Sequence, residues 1–249
     1  MPPGSSIAVV ICAAGLSLRM AGGLNPSQAQ KKEYRLLDNS LTVLGAAVCA
    51  FAAVPLVQTI VIAIPENDEK IARQSLPPGI FNVEKPEILF AAGGETRRAS
   101  VYNALALLKG RNPGYVLIHD GARPWVSVPL IERIIDAVKK YNAVIPIVPI
   151  TDTPKECESP FWELQQENPE NDGSPAFIKS HLKRANTGAA QTPQAFAFPQ
   201  ILYAHEKAAK LEQEEFTDDA EVWGKFYGPV AAIAGEQKNL KITFPQDLL

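Results

Sequence analysis

Several stretches of the chain hold residue types at spacings that could handle phosphate. The first is Cys12-Ala13-Ala14-Gly15-Leu16-Ser17-Leu18-Arg19-Met20, directly after an apolar run. A small-residue turn there exposes backbone N–H groups that can cradle phosphate, or is a plain tight turn from strand to helix. It meets neither the G-x-G-x-x-G nor the G-x-x-x-x-G-K-[ST] pattern. Lys31-Lys32-Glu33-Tyr34 sets a cationic pair in a polar loop, which taken alone equally suits a solvated face. In Gly93-Gly94-Glu95-Thr96-Arg97-Arg98-Ala99-Ser100 the two glycines permit close backbone approach by a flat or anionic ligand, and Ser100 adds a hydroxyl. Asp120, in His119-Asp120-Gly121-Ala122-Arg123-Pro124, ends a strong apolar run, where a magnesium ligand suits it better than packing. His119 must face the other way and suits a structural hydrogen bond. Lys241, within Leu240-Lys241-Ile242-Thr243-Phe244, has an ambiguous face and could be a simple edge-strand lysine.

The elements that would position these residues follow from apolar runs at strand-plus-helix spacing. Ile7–Ile11, Thr59–Ile64, Glu87–Phe90, Tyr115–Ile118 and Ala143–Val148 read as strands of a parallel sheet buried on both faces. Helical patterns lie between them: Leu41–Ala53, Arg98–Lys109 and a stretch capped by Ser127 that runs to Tyr141. Later come a helix over Tyr203–Glu214, another capped by Thr217 or Asp218, and strands over Val230–Ala234 and Leu240–Phe244. The alternation predicts a doubly wound α/β fold with ligands at the carboxyl ends of the strands. Between Thr151 and Leu182 the rhythm breaks into a proline-rich, polar stretch. It reads as an arm with short strands around Phe161-Trp162 and Phe177-Ile178.

Composition narrows the function classes. Of 249 residues, 24 are Lys or Arg and 27 are Asp or Glu, so the net charge is −3. No basic surplus or stripe suited to nucleic acid is visible, and any anionic ligand must be held by a few placed cations. Cys12, Cys49 and Cys157 lack C-x-x-C spacing, which argues against a disulfide framework or structural zinc and suits a reducing cytoplasm. The uncharged stretch Leu41–Pro65 is long enough to span a bilayer. Pro55, Gln58 and Thr59 divide it, however, and its halves have different periods, so a buried helix and a central strand are expected, with no membrane segment.

Taken together the motifs resemble one family, the cytidylyltransferases that make 4-diphosphocytidyl-2-C-methyl-D-erythritol in the non-mevalonate route to isoprenoids. The resemblance runs from about Ile7 to Leu248. The family's P-A-A-G-x-G-x-R-M stands here as Cys12 to Met20, with Ser17 for a glycine and Arg19 at the catalytic arginine. Its P-K-Q-Y stands as Lys31 to Tyr34, with Lys32 at the catalytic lysine, after a loop over Ala21–Gln30 that is longer than usual. G-G-x-x-R-x-x-S-V matches Gly93, Gly94, Arg97, Ser100 and Val101. H-D-A-A-R-P matches His119 to Pro124, with Gly121 for the first alanine. Asp152-Thr153 and Arg184 are similar to the start and end of the family's arm. Thr192-Pro193-Gln194, Thr217-Asp218 and Asn239-Leu240-Lys241-Ile242-Thr243 match T-P-Q, T-D and N-I-K-[VI]-T.

The resemblance implies a Rossmann-like, mostly parallel sheet in one nucleotidyltransferase domain over 1–249, with a protruding dimerisation arm at 151–185. It implies cytidylyl transfer from CTP to 2-C-methyl-D-erythritol 4-phosphate, releasing pyrophosphate, with Mg²⁺. Arg19, Lys32 and Lys241 would be the catalytic cations. Ala13, Ala14, Gly15, Gly93, Gly94, Ser100, Asp120 and Gly121 would hold CTP, and Asp120 the metal. Arg123, Thr153, Arg184, Thr192 and Thr217 would hold the polyol phosphate, with Thr153 and Arg184 reaching across from the partner's arm in a homodimer. Phe161 and Trp162 would pack that arm. The attacking phosphate monoester has a second pKa of about 6 and is largely dianionic near neutrality, so no general base is required. Positioning and cationic stabilisation then carry the chemistry. Ribitol-5-phosphate cytidylyltransferases share the nucleotide motifs, and a non-catalytic CTP-binding protein of the same fold is a further alternative. The T-P-Q, T-D and arm matches favour methylerythritol phosphate, and retention of Arg19, Lys32, Asp120 and Lys241 favours an enzyme.

Overall fold

Ile7–Cys12 is apolar along its whole length, and a strand of that kind needs cover on both faces. The structure, a computed structural model, describes residues 6–15, 31–38, 40–158, 175–211 and 214–248. It runs β1 (Ile7–Cys12), α1 (Val43–Ala52), β2 (Val57–Ile64), α2 (Glu69–Gln74), β3 (Glu87–Ala92), α3 (Arg97–Leu107), β4 (Tyr115–Asp120) and α4 (Val128–Tyr141). Then follow β5 (Ala143–Pro149), β6 (Lys155–Cys157), β7 (Ile178–His181), β8 (Gly188–Ala190), β9 (Gln194–Ala197), α5 (Phe198–Ala208), α6 (Asp219–Tyr227) and β10 (Ala231–Ala234).

Contacts divide the chain into two compact units, Met1–Pro146 with Gln191–Leu249, and Ile147–Ala190. In the first unit the strand order is β10-β5-β9-β4-β1-β2-β3. β1, β2, β3 and β4 are mutually parallel, whereas β9 runs antiparallel to both β4 and β5. Ile7, Val9, Ile11, Ile60, Ile62 and Leu117 point to one face, under α1 and α4. Ala8, Val10, Val61, Ala63, Val116 and Ile118 point to the other, under α3, α5 and α6. This is the expected α/β architecture. Among the described residues no helix is long and apolar enough to cross a membrane.

Helix starts are set by side chains that accept from otherwise unpaired N–H groups. Thr42 accepts from Gly45, Thr96 from Ala99, Ser127 from Leu130 and Asp218 from Glu221. α4 ends on Lys139 and Lys140 with Asn142 in the left-handed region at φ 62°.

Three expectations are corrected. The helix placed at Tyr203–Glu214 is α5, which begins at Phe198 and ends at Ala208; Pro199 starts it, because a first-turn proline has no hydrogen bond to lose. Leu240–Phe244 forms no strand and is an extended segment fastened by Ile242 N–H to the Ala122 carbonyl at 2.8 Å. β9 is an additional strand, inserted between β5 and β4.

The second unit contains the β6–β7 pair and β8, which runs antiparallel along Ile147–Pro149. Strand β7 meets the expectation near Phe177-Ile178, while Phe161 and Trp162 lie outside the described residues.

Candidate active site

Sheet register gathers three loops at one edge. Cys12 pairs with both Ala63 and Asp120, and Ile64 pairs with Ala92, so β1, β2, β3 and β4 end nearly level. Beyond those ends lies a cleft of about 550 Å³. It is lined by Ala14 and Gly15 after β1, Gly94 to Arg97 and Ser100 after β3, Asp120 and Ala122 after β4, and Lys32, Lys241 and Thr243. Parallel strands commonly place ligands at this edge.

Asp120 is the electrostatic centre of the cleft. Its carboxylate lies 2.9 Å from Lys241 Nζ, 3.5 Å from Arg97 Nε and 3.7 Å from Arg123 Nε. Burial by itself would raise the Asp120 carboxyl. The Lys241 ammonium and the Arg97 guanidinium, then Arg123, outweigh it and hold the group well below the usual carboxylate range. Behind it, the Asp120 N–H donates to Thr192 Oγ1 at 3.1 Å, and that hydroxyl lies 3.0 Å from His119 Nδ1. His119 Nε2, which then carries the ring proton, donates to the Arg123 carbonyl at 3.1 Å. Full burial pushes the His119 pKa down to about 4, so the ring is neutral near pH 7 and its nitrogens hold the β4 turn in place.

Lys32 is buried, and its ammonium donates to the Ile242 carbonyl at 2.8 Å. One peptide therefore ties the lysine to the segment that carries Lys241, the next residue back. Arg123 Nη1 donates to the Asn239 carbonyl at 2.7 Å, and Asn239 Nδ2 donates to the Thr192 carbonyl at 2.8 Å. Lys31 donates to the Gly15 carbonyl, joining the first loop to the second. Ser100 Oγ accepts from Gly94 N–H at 3.0 Å and donates to the Thr96 carbonyl at 3.0 Å, which fixes the glycine turn. At Gly93 a Cβ would stand 2.4 Å from Ala14 Cβ, so a glycine is what lets the first and third loops touch.

The sequence model of IspD, 2-C-methyl-D-erythritol 4-phosphate cytidylyltransferase, matches residues 7–249. The chain belongs to the IspD family. The bifunctional enzyme IspD/IspF of Bartonella tribocorum is 34% identical over 242 residues, covering 97% of this chain and 54% of that protein. The chain thus spans about half the length of the curated relatives it matches. Among solved structures, the 4-diphosphocytidyl-2C-methyl-D-erythritol synthase of Anaerococcus prevotii superposes with a TM-score of 0.74 at 26% identity, covering 98% of this chain and 93% of that one. The Francisella tularensis 2-C-methyl-D-erythritol 4-phosphate cytidylyltransferase has a TM-score of 0.72 at 30% identity, with 98% and 97% covered.

Of the residues expected from the IspD motifs, Ala14, Gly15, Lys32, Gly94, Ser100, Asp120 and Lys241 line the cleft. Ala13 is fully buried in the core, and Gly93 and Gly121 are spent on backbone bonds to Ile64 and Cys12. Arg123 and Thr192 stand behind Asp120 rather than on the cleft wall. Thr217 is exposed, with its hydroxyl donating to Glu221 at 2.9 Å. Thr153 and Arg184 belong to the second unit, where Arg184 donates to the Thr151 carbonyl at 2.8 Å. Arg19, with Ser17 and the loop over Ala21–Gln30, lies outside the described residues.

One residue of this IspD cleft, and one packed behind it, had no assigned part. Arg97 lines it, and its Nη1 donates at 2.8 Å to Asp219, which is 1% exposed and 3.2 Å from His205 Nε2. The usable signal was the Asp218-Asp219 pair at a helix start. The first caps the helix, so the second is left to turn inward.

Proposed function

We propose that the chain transfers cytidylyl from CTP to 2-C-methyl-D-erythritol 4-phosphate, giving 4-diphosphocytidyl-2-C-methyl-D-erythritol and pyrophosphate. What carries the reading is a cleft at the strand ends that joins an ionised Asp120 to Lys241 and Lys32, in a chain of the IspD family. The turns at Ala14-Gly15 and Gly94-Glu95 line the cleft and are assigned to the nucleotide. Lys32 and Lys241 would neutralise the triphosphate and the charge that grows at the α-phosphate, with Arg19 as a third cation. Arg123, Thr192 and Thr217 are assigned to the polyol phosphate, with Thr153 and Arg184 contributed by the arm of the partner protomer. Because the nucleophile is already ionised, the protein's task is to bring two anions together, and a neutral His119 locked in structure agrees with that division.

The donor set fits Mg²⁺. Asp120 is one hard carboxylate kept ionised, and no cluster of three or more His, Cys, Asp or Glu stands among the described residues, so nucleotide phosphates and water would complete the shell. Bound there, the ion would withdraw charge from the phosphates.

The proposal includes a homodimer formed through the second unit, whose exposed Phe177, Ile178 and Leu182 support an apolar partner surface. It includes a cytoplasmic location, supported by three free thiols, and no nucleic-acid partner. Pyrophosphate release should be measured with CTP and either methylerythritol phosphate or ribitol 5-phosphate. Release with the first supports the reading. Preference for ribitol phosphate, or CTP binding without any adduct, overturns it. Light scattering at micromolar concentration should report a dimer; a monomer contradicts the shared site.

A further inference from the structure

Three cations surround Asp120, yet only Lys241 touches it, at 2.9 Å. Arg97 and Arg123 stop at 3.5 and 3.7 Å, although an arginine beside a carboxylate ordinarily closes into a bidentate pair. Arg123 Nε is a buried N–H with no hydrogen-bond partner among the described residues, so a bond within a fraction of an ångström is forgone. Each arginine is held back by a nearer acceptor. Arg123 is kept by the Asn239 carbonyl at 2.7 Å, and Arg97 by the Asp219 carboxylate at 2.8 Å. Asp219 cannot itself be a ligand in the cleft, since it is 1% exposed and its two oxygens face Arg97 and His205.

We propose that Asp219 is a positioning residue that withholds Arg97 from Asp120, keeping the Asp120 carboxylate open to a divalent cation. This rests on the reading of Asp120 as the group that takes a metal together with nucleotide phosphates. The remaining cap, Lys241, sits on an exposed segment and is 38% exposed, so it can turn to a phosphate when one arrives. Held on Asp219 at 2.8 Å, Arg97 stays 3.5 Å from Asp120 and does not close on its lone pairs. Without Asp219 the guanidinium has one carboxylate left, and closes on it.

The test is Mn²⁺ binding in the presence of CTP, followed by the electron paramagnetic resonance of free Mn²⁺, on the full chain. Asp219→Asn should weaken Mn²⁺ binding about tenfold, as loss of an outer-shell partner does, with metal-free CTP binding little changed. The double variant Asp219→Asn/Arg97→Met removes the released guanidinium and should restore wild-type affinity or better. A purely structural Asp219 would leave the double variant as weak as the single one, and that result, or an unchanged single variant, overturns the proposal. If the single variant does not fold by circular dichroism, the double, which buries neither charge, decides alone: wild-type affinity supports the proposal and a tenfold loss refutes it. Failure of the wild-type chain to bind Mn²⁺ with CTP would instead overturn the metal reading of Asp120, and the proposal with it.

Discussion

The two units of this chain are built on opposite principles. In the first, Ile7, Val9, Ile11, Ile60 and Ile62 are 0% exposed, and the strand ends carry a cleft whose charged groups are fixed by bonds such as Lys241–Asp120 and Lys32–Ile242. In the second, none of the described residues is buried, Phe177 is 67% exposed, and order comes from short pairings such as β6–β7 and surface ion pairs such as Lys179–Glu156. Reacting groups need fixed geometry and sit where a buried sheet provides it. The second unit holds its short strands together without a core of its own among the described residues.

That contrast can be broken most sharply at the cleft. Lys241→Ala should lower the proposed cytidylyl transfer by roughly 10²–10³, by analogy with lost oxyanion donors, while the melting profile stays near wild type. An unchanged rate would take Lys241 out of the chemistry. In the core, Ile60→Ala should cost about 2–5 kcal/mol in urea unfolding, because the site is fully enclosed by sheet and helices. A loss under about 1 kcal/mol would mean the two units differ less than their burial implies.

The pH dependence separates the units too. The folded His119 pKa of about 4 lies below its unfolded value near 6.5, so the unfolded chain takes up the proton first. Stability from this site is present above about pH 6.5 and falls as the pH drops toward 4, by about 3 kcal/mol in all. Urea midpoints at pH 7.5 and 4.5 should show the decline, and His119→Asn should flatten it. An equal slope in that variant would place the titration elsewhere. Smallest of all, Ile178→Ala in the second unit should change unfolding free energy by less than about 0.5 kcal/mol while weakening the proposed self-association in sedimentation. A large stability loss there would show a hidden core.

Much of the sheet was legible because its strands are continuous apolar runs, and their cover follows from that alone. β9 was not, since Gln194–Ala197 is four residues long and is made a strand by neighbours more than fifty residues away in sequence. Leu240–Phe244 alternates like a strand, but the cleft replaces its would-be neighbour, and Ile242 is held instead by Ala122 and Lys32. Cleft residues at strand ends, such as Asp120, announced themselves by position. The Arg97–Asp219–His205 chain did not, because α3, α5 and α6 bring together residues whose sequence neighbours say nothing of one another.

β9 has a consequence for how the chain is made. It lies between β4 and β5, yet it leaves the ribosome after both, and after the whole second unit. While residues 147–190 are being synthesised, β4 has an open edge and β5 has no neighbour to fix its place. The sheet joins β4 to β5 only when the late strand comes between these two earlier ones, a long-range pairing of the kind that forms slowly. The nascent chain is therefore most exposed to wrong pairing while its second unit is being made.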